Sequence, residues 1–175
     1  MPELIPVLDK KTIALKIAAV GRRISSDYKD ANLVLVCVLK GAFMFLADLV
    51  REIDIKNLSI DFVRVASYGD FSQSSGRIKL VQDIETEIGG KDVLIIEDIL
   101  DSGLTMAFLR DHLAAFKPRS IRFCVMLDKP RRRRIAIEAD YVCHTVEGSG
   151  FLVGYGLDYA EAYRNLPDVF DLKLE

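Results

Sequence analysis

The chain has 175 residues, in which 24 lysines and arginines nearly balance 26 aspartates and glutamates, for a formal net charge of −2. A hydrophobic share of 50% with 29% charged residues is a globular composition, which excludes disordered, collagen-like and low-complexity chains. The near-neutral charge gives no reason to expect nucleic acid or an anionic membrane as a partner. No apolar run reaches the roughly 18 residues of a membrane helix, so we expect no membrane contact.

Cysteine and histidine are scarce in this sequence. The cysteines Cys37, Cys124 and Cys143 are odd in number and widely spaced, and the first two lie inside apolar runs. This pattern predicts buried free thiols rather than a disulfide or a zinc site, and hence a reducing, cytoplasmic location. Only two histidines are present, so zinc enzymes and histidine-based triads are poor candidates.

The N-terminal part predicts a helix, a strand and a second helix. Apolar residues recur at helical spacing between positions 13 and 24, which predicts an amphipathic helix from about Lys10 to Tyr28, capped near Asp9. The apolar run LVLVCVL at 33–39 has the length of a strand buried on both faces, which is typical of a parallel sheet. A tight turn and a helical pattern over 43–50 follow it.

The remaining sequence predicts further strands and a helix without any internal repeat or linker. Strands are expected over 59–68, 93–96, 120–127 and near 141, a helix over 106–116, and a mobile polar loop over 68–76. Strands alternating with helices predict one α/β domain over 1–175, with a doubly wound, mainly parallel central sheet flanked by helices. Its core is expected at about 30–140, and a small C-terminal hood at 141–175 with the N-terminal residues.

A chemistry-bearing segment follows the apolar run Val-Leu-Ile-Ile. Glu97 and Asp98 come directly after this run, and burying both carboxylates in a sheet would be penalised, so we expect them at the strand's exposed end. There they suit a diol or a divalent cation. The turn DSGLT at 101–105 offers small residues and backbone N–H groups at a helix start, a favourable place for a phosphate. Together these features predict a sugar-phosphate site at the sheet's carboxyl edge.

The segment VLIIEDILDSGLT at 93–105 resembles the ribose-phosphate signature of type I phosphoribosyltransferases. Other segments resemble the 6-oxopurine branch of that family, the hypoxanthine-guanine phosphoribosyltransferases. They are LKG at 39–41, SYG at 67–69, DKPRRR at 128–133 and FLVGYGLDY at 151–159. The resemblance covers roughly residues 34–168, and it implies the type I phosphoribosyltransferase fold.

The resemblance also implies an activity. Such enzymes transfer the 5-phosphoribosyl group of phosphoribosyl pyrophosphate (PRPP) to N9 of hypoxanthine or guanine, giving IMP or GMP and pyrophosphate, with Mg²⁺ as cofactor. Departure of pyrophosphate leaves an oxocarbenium-like ribosyl group, so the site needs anions near the ribose and cations near the leaving group. We expect a homodimer or homotetramer, and neither nucleic acid nor a membrane as partner.

Carried over position by position, the resemblance assigns the ribose-phosphate side of the site. Glu97 and Asp98 would face the ribose hydroxyls and their metal, and Asp158 would hold a second magnesium through pyrophosphate. Asp101 would lie nearest purine N7 as general base. The residues expected to wrap the 5′-phosphate are Asp101, Ser102, Gly103, Leu104 and Thr105.

The leaving-group and purine sides follow in the same way. The turn of Leu39, Lys40 and Gly41, with an implied cis peptide bond at Leu39-Lys40, would bind pyrophosphate. The other residues implied in binding are Arg133 and Arg164 for pyrophosphate, Lys129 for the purine O6 and N7 edge, Phe151 for stacking on the ring, Leu152 for backbone contacts, and Ser67, Tyr68 and Gly69 for a closing loop. This chain has HTVEGSG before Phe151, so Gly150 replaces the family's usual lysine.

Rival interpretations remain at this point. Gly148, Gly150 and Gly154 imitate a dinucleotide fingerprint, but their spacing is too long and too little chain follows. A PRPP-sensing regulator that binds nucleic acid is the main alternative from another class, and retention of Asp101, Lys129 and Phe151 argues against it. Adenine is disfavoured because the lysine offers only donors, whereas xanthine specificity stays open.

Overall fold

The computed structural model describes residues 2–68 and 77–174. Of the expected closing loop, Gly69 lies outside these residues, and only the backbone of Ser67 and Tyr68, at the end of a strand, is described. The elements in chain order are β1 (Glu3–Leu8), α1 (Lys10–Asp27), β2 (Leu33–Leu39), α2 (Phe43–Arg51), β3 (Leu58–Tyr68), β4 (Arg77–Gln82), β5 (Asp92–Leu100), α3 (Leu104–Ala114), β6 (Ser120–Asp128), a 3-10 turn (Pro130–Arg132), β7 (Tyr141–Thr145), β8 (Phe151–Val153) and β9 (Val169–Lys173).

The main sheet has the strand order β4-β3-β2-β5-β6-β7 among the residues described. The pairs β3-β2, β2-β5, β5-β6 and β6-β7 are parallel, and β4 is added antiparallel at one edge. The strand order reverses direction around β2 and β5, so a crevice opens beyond their carboxyl ends. This architecture confirms the predicted doubly wound, mainly parallel sheet.

Strand β2 is buried on both faces, as its continuous apolar run predicts. Leu35 and Cys37 belong to one apolar layer, and Val36 and Val38 to the other, because successive side chains of a strand point to opposite faces. The first layer includes buried residues of α1 and α2, and the second includes those of α3. Helices therefore cover both faces of the sheet, and the loops at its carboxyl edge are held from two sides.

Helix α1 begins where the sequence predicts. The Asp9 side chain accepts hydrogen bonds from the backbone N–H groups of Lys11 and Thr12 at 2.9 and 3.0 Å, which satisfies two amides that a helix start leaves unpaired. Its buried face carries Ile13, Ile17, Val20, Gly21 and Ile24.

A second, antiparallel sheet with the order β1-β9-β8 forms the hood, and β9 lies in its middle. The expected boundaries need correction, because β7 pairs with β6 in the main sheet and α1 packs against β7 and α2. The physical reason is burial: Tyr141 and Cys143 of β7 face the apolar layer under α1, and the Tyr141 hydroxyl donates to Asp27 Oδ2 at 2.6 Å. The core therefore includes α1 and extends to Thr145. Within residues 2–68 and 77–174, no helix is long and apolar enough to cross a membrane.

Candidate active site

A cleft of about 340 Å³ lies at the carboxyl ends of β2 and β5, where the sheet topology opens a crevice. It combines residues from four parts of the chain that are far apart in sequence. They are Val38, Leu39, Lys40 and Gly41 from the end of β2, Glu97 to Gly103 with Thr105 and Met106 from the end of β5 and the start of α3, and Asp158 and Arg164 from the segment before β9, with Val65 from β3. The cleft therefore unites most of the predicted ribose-phosphate side.

A larger cavity, of about 600 Å³, lies between α1, α2 and the segment containing Tyr155 and Leu166. Its lining includes none of the acidic pair, the phosphate turn or the LKG turn. A reactive site is recognised by polar groups that converge in a cavity rather than by the size of the cavity alone. We therefore take the smaller cleft as the candidate active site.

The acidic pair is more buried than its sequence position predicts. Strand β5 continues to Leu100, and Glu97 is only 8% exposed, so the expectation of an exposed strand end is wrong. Burial raises the pKa of Glu97 well above its ordinary value, and the neighbouring Asp98 carboxylate raises it further. Burial also raises the pKa of Asp98, against the opposing effects of hydrogen bonds and of the Arg164 charge. Both carboxylates thus lie in a low-dielectric pocket that favours binding of a compensating cation.

The LKG turn covers this acidic pair directly. The Leu39-Lys40 peptide bond is cis, as the family resemblance implies. A β-carbon at Gly41 would overlap the Asp98 carboxylate, so only glycine allows this approach. A β-carbon at Gly156 would likewise overlap the Gly41 carbonyl oxygen, which shows how closely the loop after β8 packs on the turn.

Two cations line the same cleft as the acidic pair. Arg164 donates to the Gly156 carbonyl at 2.8 Å and lies 2.8 Å from Asp158 Oδ1. Lys40 Nζ lies 2.9 Å from Glu161 Oε2, and Arg164 lies 3.2 Å from Oε1 of the same side chain. Lys40 and Arg164 are thus gathered at one end of the cleft, as the resemblance predicts, and a glutamate bridges them.

Arg133 does not join these two cations, which corrects its expected role at pyrophosphate. One of its guanidinium nitrogens donates to the carbonyls of Leu100 and Asp101 at 3.0 and 2.6 Å, and the other pairs with Asp128. The side chain is 15% exposed and ties the phosphate turn to the end of β6. Its donors are used for the architecture of the turn, because they bond the Asp101 carbonyl and add a second bond to the Leu100 carbonyl.

The phosphate turn is built around Gly103. This residue has φ +86°, and a β-carbon there would lie 2.6 Å from Ile137 Cγ2. The Ser102 carbonyl accepts from the N–H groups of Arg134 and Ile135 at 2.9 and 3.2 Å, which fixes the outer side of the turn. Helix α3 begins at Leu104, so its first amides and the positive end of its dipole point to the cleft edge. This arrangement suits a phosphate dianion.

The predicted purine residues lie beside the cleft rather than in its lining. Lys129 is only 4% exposed, and its Nζ donates to the Gly150 carbonyl at 2.6 Å. Phe151 is 49% exposed and meets the Tyr159 ring edge-on at a centroid distance of 5.6 Å, whereas Leu152 is buried. The Lys129 amide donates to the Leu100 carbonyl at 3.0 Å, which joins this group to the end of β5.

Sequence reasoning missed two side chains at this site. Arg132 Nε lies 2.9 Å from Asp101 Oδ1, in an ion pair without the alignment of a hydrogen bond. Glu161 carries no motif of its own, and its only signal is a spacing of three residues from both Asp158 and Arg164. Within the described part of the chain, no three acidic, histidine or cysteine side chains are arranged to hold a metal without other ligands.

A doubly wound sheet with a buried acidic pair, a phosphate turn at a helix start and cations in the same cleft defines a transferase of phosphorylated sugars. The comparisons make this specific: the chain belongs to the phosphoribosyl transferase domain family, whose model matches residues 6–160. It is 45% identical to the hypoxanthine-guanine phosphoribosyltransferase of Streptococcus thermophilus, over 97% of this chain and 93% of that protein. It is 44% identical to the enzyme of that name from Bacillus subtilis, over 95% and 92%.

Solved structures show the same similarity in three dimensions. A hypoxanthine phosphoribosyltransferase from Staphylococcus aureus superposes with a TM-score of 0.91 at 42% identity, over 96% of this chain and 90% of that chain. A hypoxanthine-guanine phosphoribosyltransferase from Bacillus anthracis also gives a TM-score of 0.91, at 38% identity over 99% and 100%. The fold is therefore the type I phosphoribosyltransferase fold.

Proposed function

We propose that this chain transfers the 5-phosphoribosyl group from PRPP to N9 of hypoxanthine and/or guanine, giving IMP or GMP and pyrophosphate in purine salvage. The observation that carries the proposal is the cleft itself, which places the Glu97–Asp98 pair against the LKG turn and beside the start of α3. The names of the similar proteins from Streptococcus thermophilus and Bacillus subtilis support the choice of purine.

The charge distribution of the cleft matches the demands of this reaction. Loss of pyrophosphate from C1 of the ribose leaves a cation-like ribosyl group, which Glu97 and Asp98 stabilise from the sugar side. Lys40 and Arg164 lie in the same cleft, held near each other by Glu161, and neutralise the departing pyrophosphate. The amides at the start of α3 hold the 5′-phosphate, so the sugar is fixed between the two charge centres.

The purine is bound and activated by the group beside the cleft. Lys129 donates to the O6 and N7 edge, Phe151 stacks on the ring, and the backbone of Leu152 contacts the other edge. Asp101 lines the cleft between this group and the acidic pair, where it accepts the proton that the purine loses as N9 bonds to the ribose. Because this proton is removed, the purine carries no excess positive charge after the transfer.

Magnesium fits the donors that the cleft provides. Buried carboxylates with raised pKa values need a compensating cation, and hard oxygen donors are those that Mg²⁺ prefers. Mg²⁺ keeps several waters and binds through one or two carboxylates plus substrate oxygens, so a cage made of protein alone is not required. Glu97 and Asp98 would hold one ion at the ribose, and Asp158 a second at pyrophosphate, where the metal supplies charge neutralisation.

The decisive experiment is a spectrophotometric panel. The purified chain is incubated with PRPP, Mg²⁺ and each of hypoxanthine, guanine, xanthine, adenine and uracil. Turnover of hypoxanthine or guanine, and its loss in excess chelator, is expected. Full turnover in chelator would contradict the metal assignment, and turnover of xanthine, adenine or uracil alone would contradict the proposed acceptor.

Selectivity against adenine tests the role of Lys129. The ammonium has donors and no acceptor, so it pairs with O6 and meets the amino group of adenine unfavourably. A site built on such a bond rejects the wrong partner by about 10⁴–10⁵. Lys129→Gln should therefore lower kcat/KM for hypoxanthine sharply and reduce the ratio of kcat/KM for hypoxanthine to that for adenine. If this ratio does not change, a group other than Lys129 recognises position 6 of the purine.

The regulator alternative predicts a different result. A PRPP-sensing protein that binds nucleic acid would show steep, salt-dependent retardation of RNA or DNA in a gel-shift assay, with little turnover. The basic run Arg131 to Arg134 is partly used inside the protein, since Arg132 pairs with Asp101 and Arg133 with Asp128. This use of the run, together with the names of the similar proteins, favours the enzyme.

Two further properties belong to this proposal. Ile60, Phe62 and Val81 are exposed apolar side chains on β3 and β4, at one edge of the main sheet, and they favour self-association as a homodimer or homotetramer. Light scattering coupled to size-exclusion chromatography tests this directly.

Cys37, Cys124 and Cys143 are free and buried, which fits the reducing environment of the cytoplasm, and cell fractionation tests that location.

A further inference from the structure

In the hood, the carboxylate of Asp171 occupies the space that a side chain at position 150 would fill. Asp171 lies on β9, opposite Leu152 of the neighbouring strand β8. A β-carbon at Gly150 would overlap both carboxylate oxygens of Asp171. The two positions are therefore in contact: a side chain at 150 would require the Asp171 carboxylate to move.

The purine-binding lysine shares this neighbourhood. Lys129 Nζ donates to the carbonyl of Gly150 at 2.6 Å, and the residue is almost fully buried. Burial lowers the pKa of Lys129, the Asp101 carboxylate opposes that effect, the charge of Arg132 adds to it, and Asp171 opposes it by a smaller amount. The charge of this lysine thus depends on the carboxylates around it.

Those two carboxylates have different partners. Asp101 Oδ1 lies 2.9 Å from Arg132 Nε, so its charge is shared with an arginine. Asp171 Oδ2 accepts from Lys173 at 2.8 Å, but that lysine is 52% exposed and its charge is screened by water. Asp171 Oδ1 is buried against Gly150 and has no hydrogen-bond partner among the described residues.

We propose that Asp171 is a positioning residue for Lys129, and that glycine at position 150 exists to make room for its carboxylate. The Asp171 carboxylate packs against Gly150, whose carbonyl accepts from Lys129, and its negative charge favours the ammonium form, so that the lysine presents a donor to the purine O6. The inference rests on the proposed function, in which Lys129 binds that oxygen. It assigns base recognition to a strand outside the cleft and to the segment where this chain departs from the family pattern.

The first experiment removes the carboxylate. Asp171→Ala, and Asp171→Asn as the isosteric variant, should raise KM for hypoxanthine about tenfold while KM for PRPP changes less than twofold. The alkaline limb of the kcat/KM profile for hypoxanthine should move to lower pH than in the parent, because the lysine loses its proton more easily. Asp111→Asn, at an exposed position of α3, is the control and should change neither quantity.

The second experiment displaces the carboxylate without deleting it. Gly150→Ala should reproduce the effects of Asp171→Ala, and the double variant should be no worse than Asp171→Ala alone. Gly148→Ala is the control, since the nearest atom to a β-carbon there is 4.0 Å away. Additive losses in the double variant would contradict the steric coupling.

The outcomes separate this inference from the proposed function. Asp171 variants with unchanged KM and an unchanged alkaline limb overturn the inference, and so does a loss confined to kcat and thermal stability, which marks a structural role. In a Lys129→Gln background, Asp171→Ala should have no further effect on hypoxanthine KM. If Lys129→Gln itself binds hypoxanthine like the parent, the proposed role of Lys129 fails, whatever Asp171 does.

Discussion

Asp101 stands at the junction between the purine group and the ribose-phosphate cleft. Its carboxylate lines the cleft, lies 2.9 Å from Arg132 Nε and partly offsets the lowering of the Lys129 pKa by burial. Asp101→Asn keeps the size of the side chain but cannot accept a proton from the purine. We expect kcat to fall by about 10²–10⁴-fold, with KM for PRPP within roughly tenfold, in steady-state assays with hypoxanthine.

Asp111→Asn provides the control for this substitution, because Asp111 is 72% exposed on α3 and pairs with Arg110. It should leave both parameters unchanged. If Asp101→Asn kept kcat and raised only KM, Asp101 would be a binding residue and the proton would leave by another route.

Individual site residues could be predicted from sequence where a motif requires a particular backbone conformation. Gly41 and Gly103 were found because only glycine allows the close approach or the positive φ that these turns need. Arg133 was misplaced because adjacent arginines look alike in sequence, and only the fold decides which guanidinium meets free carbonyls. Asp171 was missed because its neighbour Gly150 is 21 residues distant in the chain and carries no side chain to mark the space.

The phosphate turn is the element on which PRPP binding depends most. Gly103 has φ +86°, and Ile137 and Arg133 pack against the position of a β-carbon. Gly103→Ala should destabilise the protein by about 1–2 kcal/mol through left-handed strain alone, and should raise KM for PRPP at least tenfold as the turn shifts. Denaturant unfolding and initial-rate kinetics measure the two effects.

Gly89→Ala is the matched comparison, since Gly89 has no positive φ and its nearest neighbour would lie at an ordinary 3.4 Å. It should change KM for PRPP by less than twofold. Equal effects of the two alanines would show that the turn tolerates a side chain and that its amides do not bind the phosphate.

The segment before β9 contains a carboxylate that competes with the substrate. Glu161 contacts both Lys40 and Arg164, and these contacts lower its pKa. Exposed ion pairs contribute little, so pyrophosphate displaces the glutamate readily. Glu161→Gln should lower KM for PRPP by up to about fivefold, because Lys40 loses its carboxylate partner and Arg164 keeps only Asp158.

Glu147→Gln tests whether this effect is specific, since Glu147 forms an exposed pair with Arg131 away from the cleft. That variant should leave KM for PRPP unchanged. An increase of KM in Glu161→Gln would mean that the glutamate orders the two cations rather than competing for them.

Elements were predicted from sequence where burial is strong and less well where partners are remote. The run at 33–39 gave the bounds of β2 because both of its faces are apolar. Strand β5 extends beyond Ile96 because its pairing with β6 outweighs the cost of placing two carboxylates in the strand. Strand β7 was assigned to the hood because nothing local in its sequence shows that β6 is its partner.

At the scale of the whole molecule, carboxylates act on stability with opposite signs. Hydrogen bonds from Arg119, assisted by Ser120, lower the pKa of Asp92. Its contribution to stability is therefore complete above the ordinary aspartate pKa of 3.8 and is lost as the pH falls below it. Such groups favour the folded state at neutral pH.

The acidic pair of the cleft has the opposite effect. The folded-state pKa of Glu97 is raised by burial and by Asp98, so the folded chain binds a proton more tightly than the unfolded chain does. Stability contributed by protonated Glu97 is present below the ordinary value of 4.5 and is lost as the pH rises through the raised value. The metal-free protein should consequently lose stability over that range, as the cost of keeping a cation site.

Removing this charge should therefore stabilise the metal-free protein while abolishing turnover. In chelator at about pH 8, the free energy of unfolding of Glu97→Gln should exceed that of the parent by on the order of 1 kcal/mol. For a chain of this size, that difference raises Tm by about 2–4 °C. The difference should vanish near pH 4, where the parent carboxyl is protonated, and Glu87→Gln on the surface should show none at either pH. Calorimetric scans at the two pH values measure this, and a Glu97→Gln variant less stable than the parent at pH 8 would mean that the ionised pair is compensated within the protein itself.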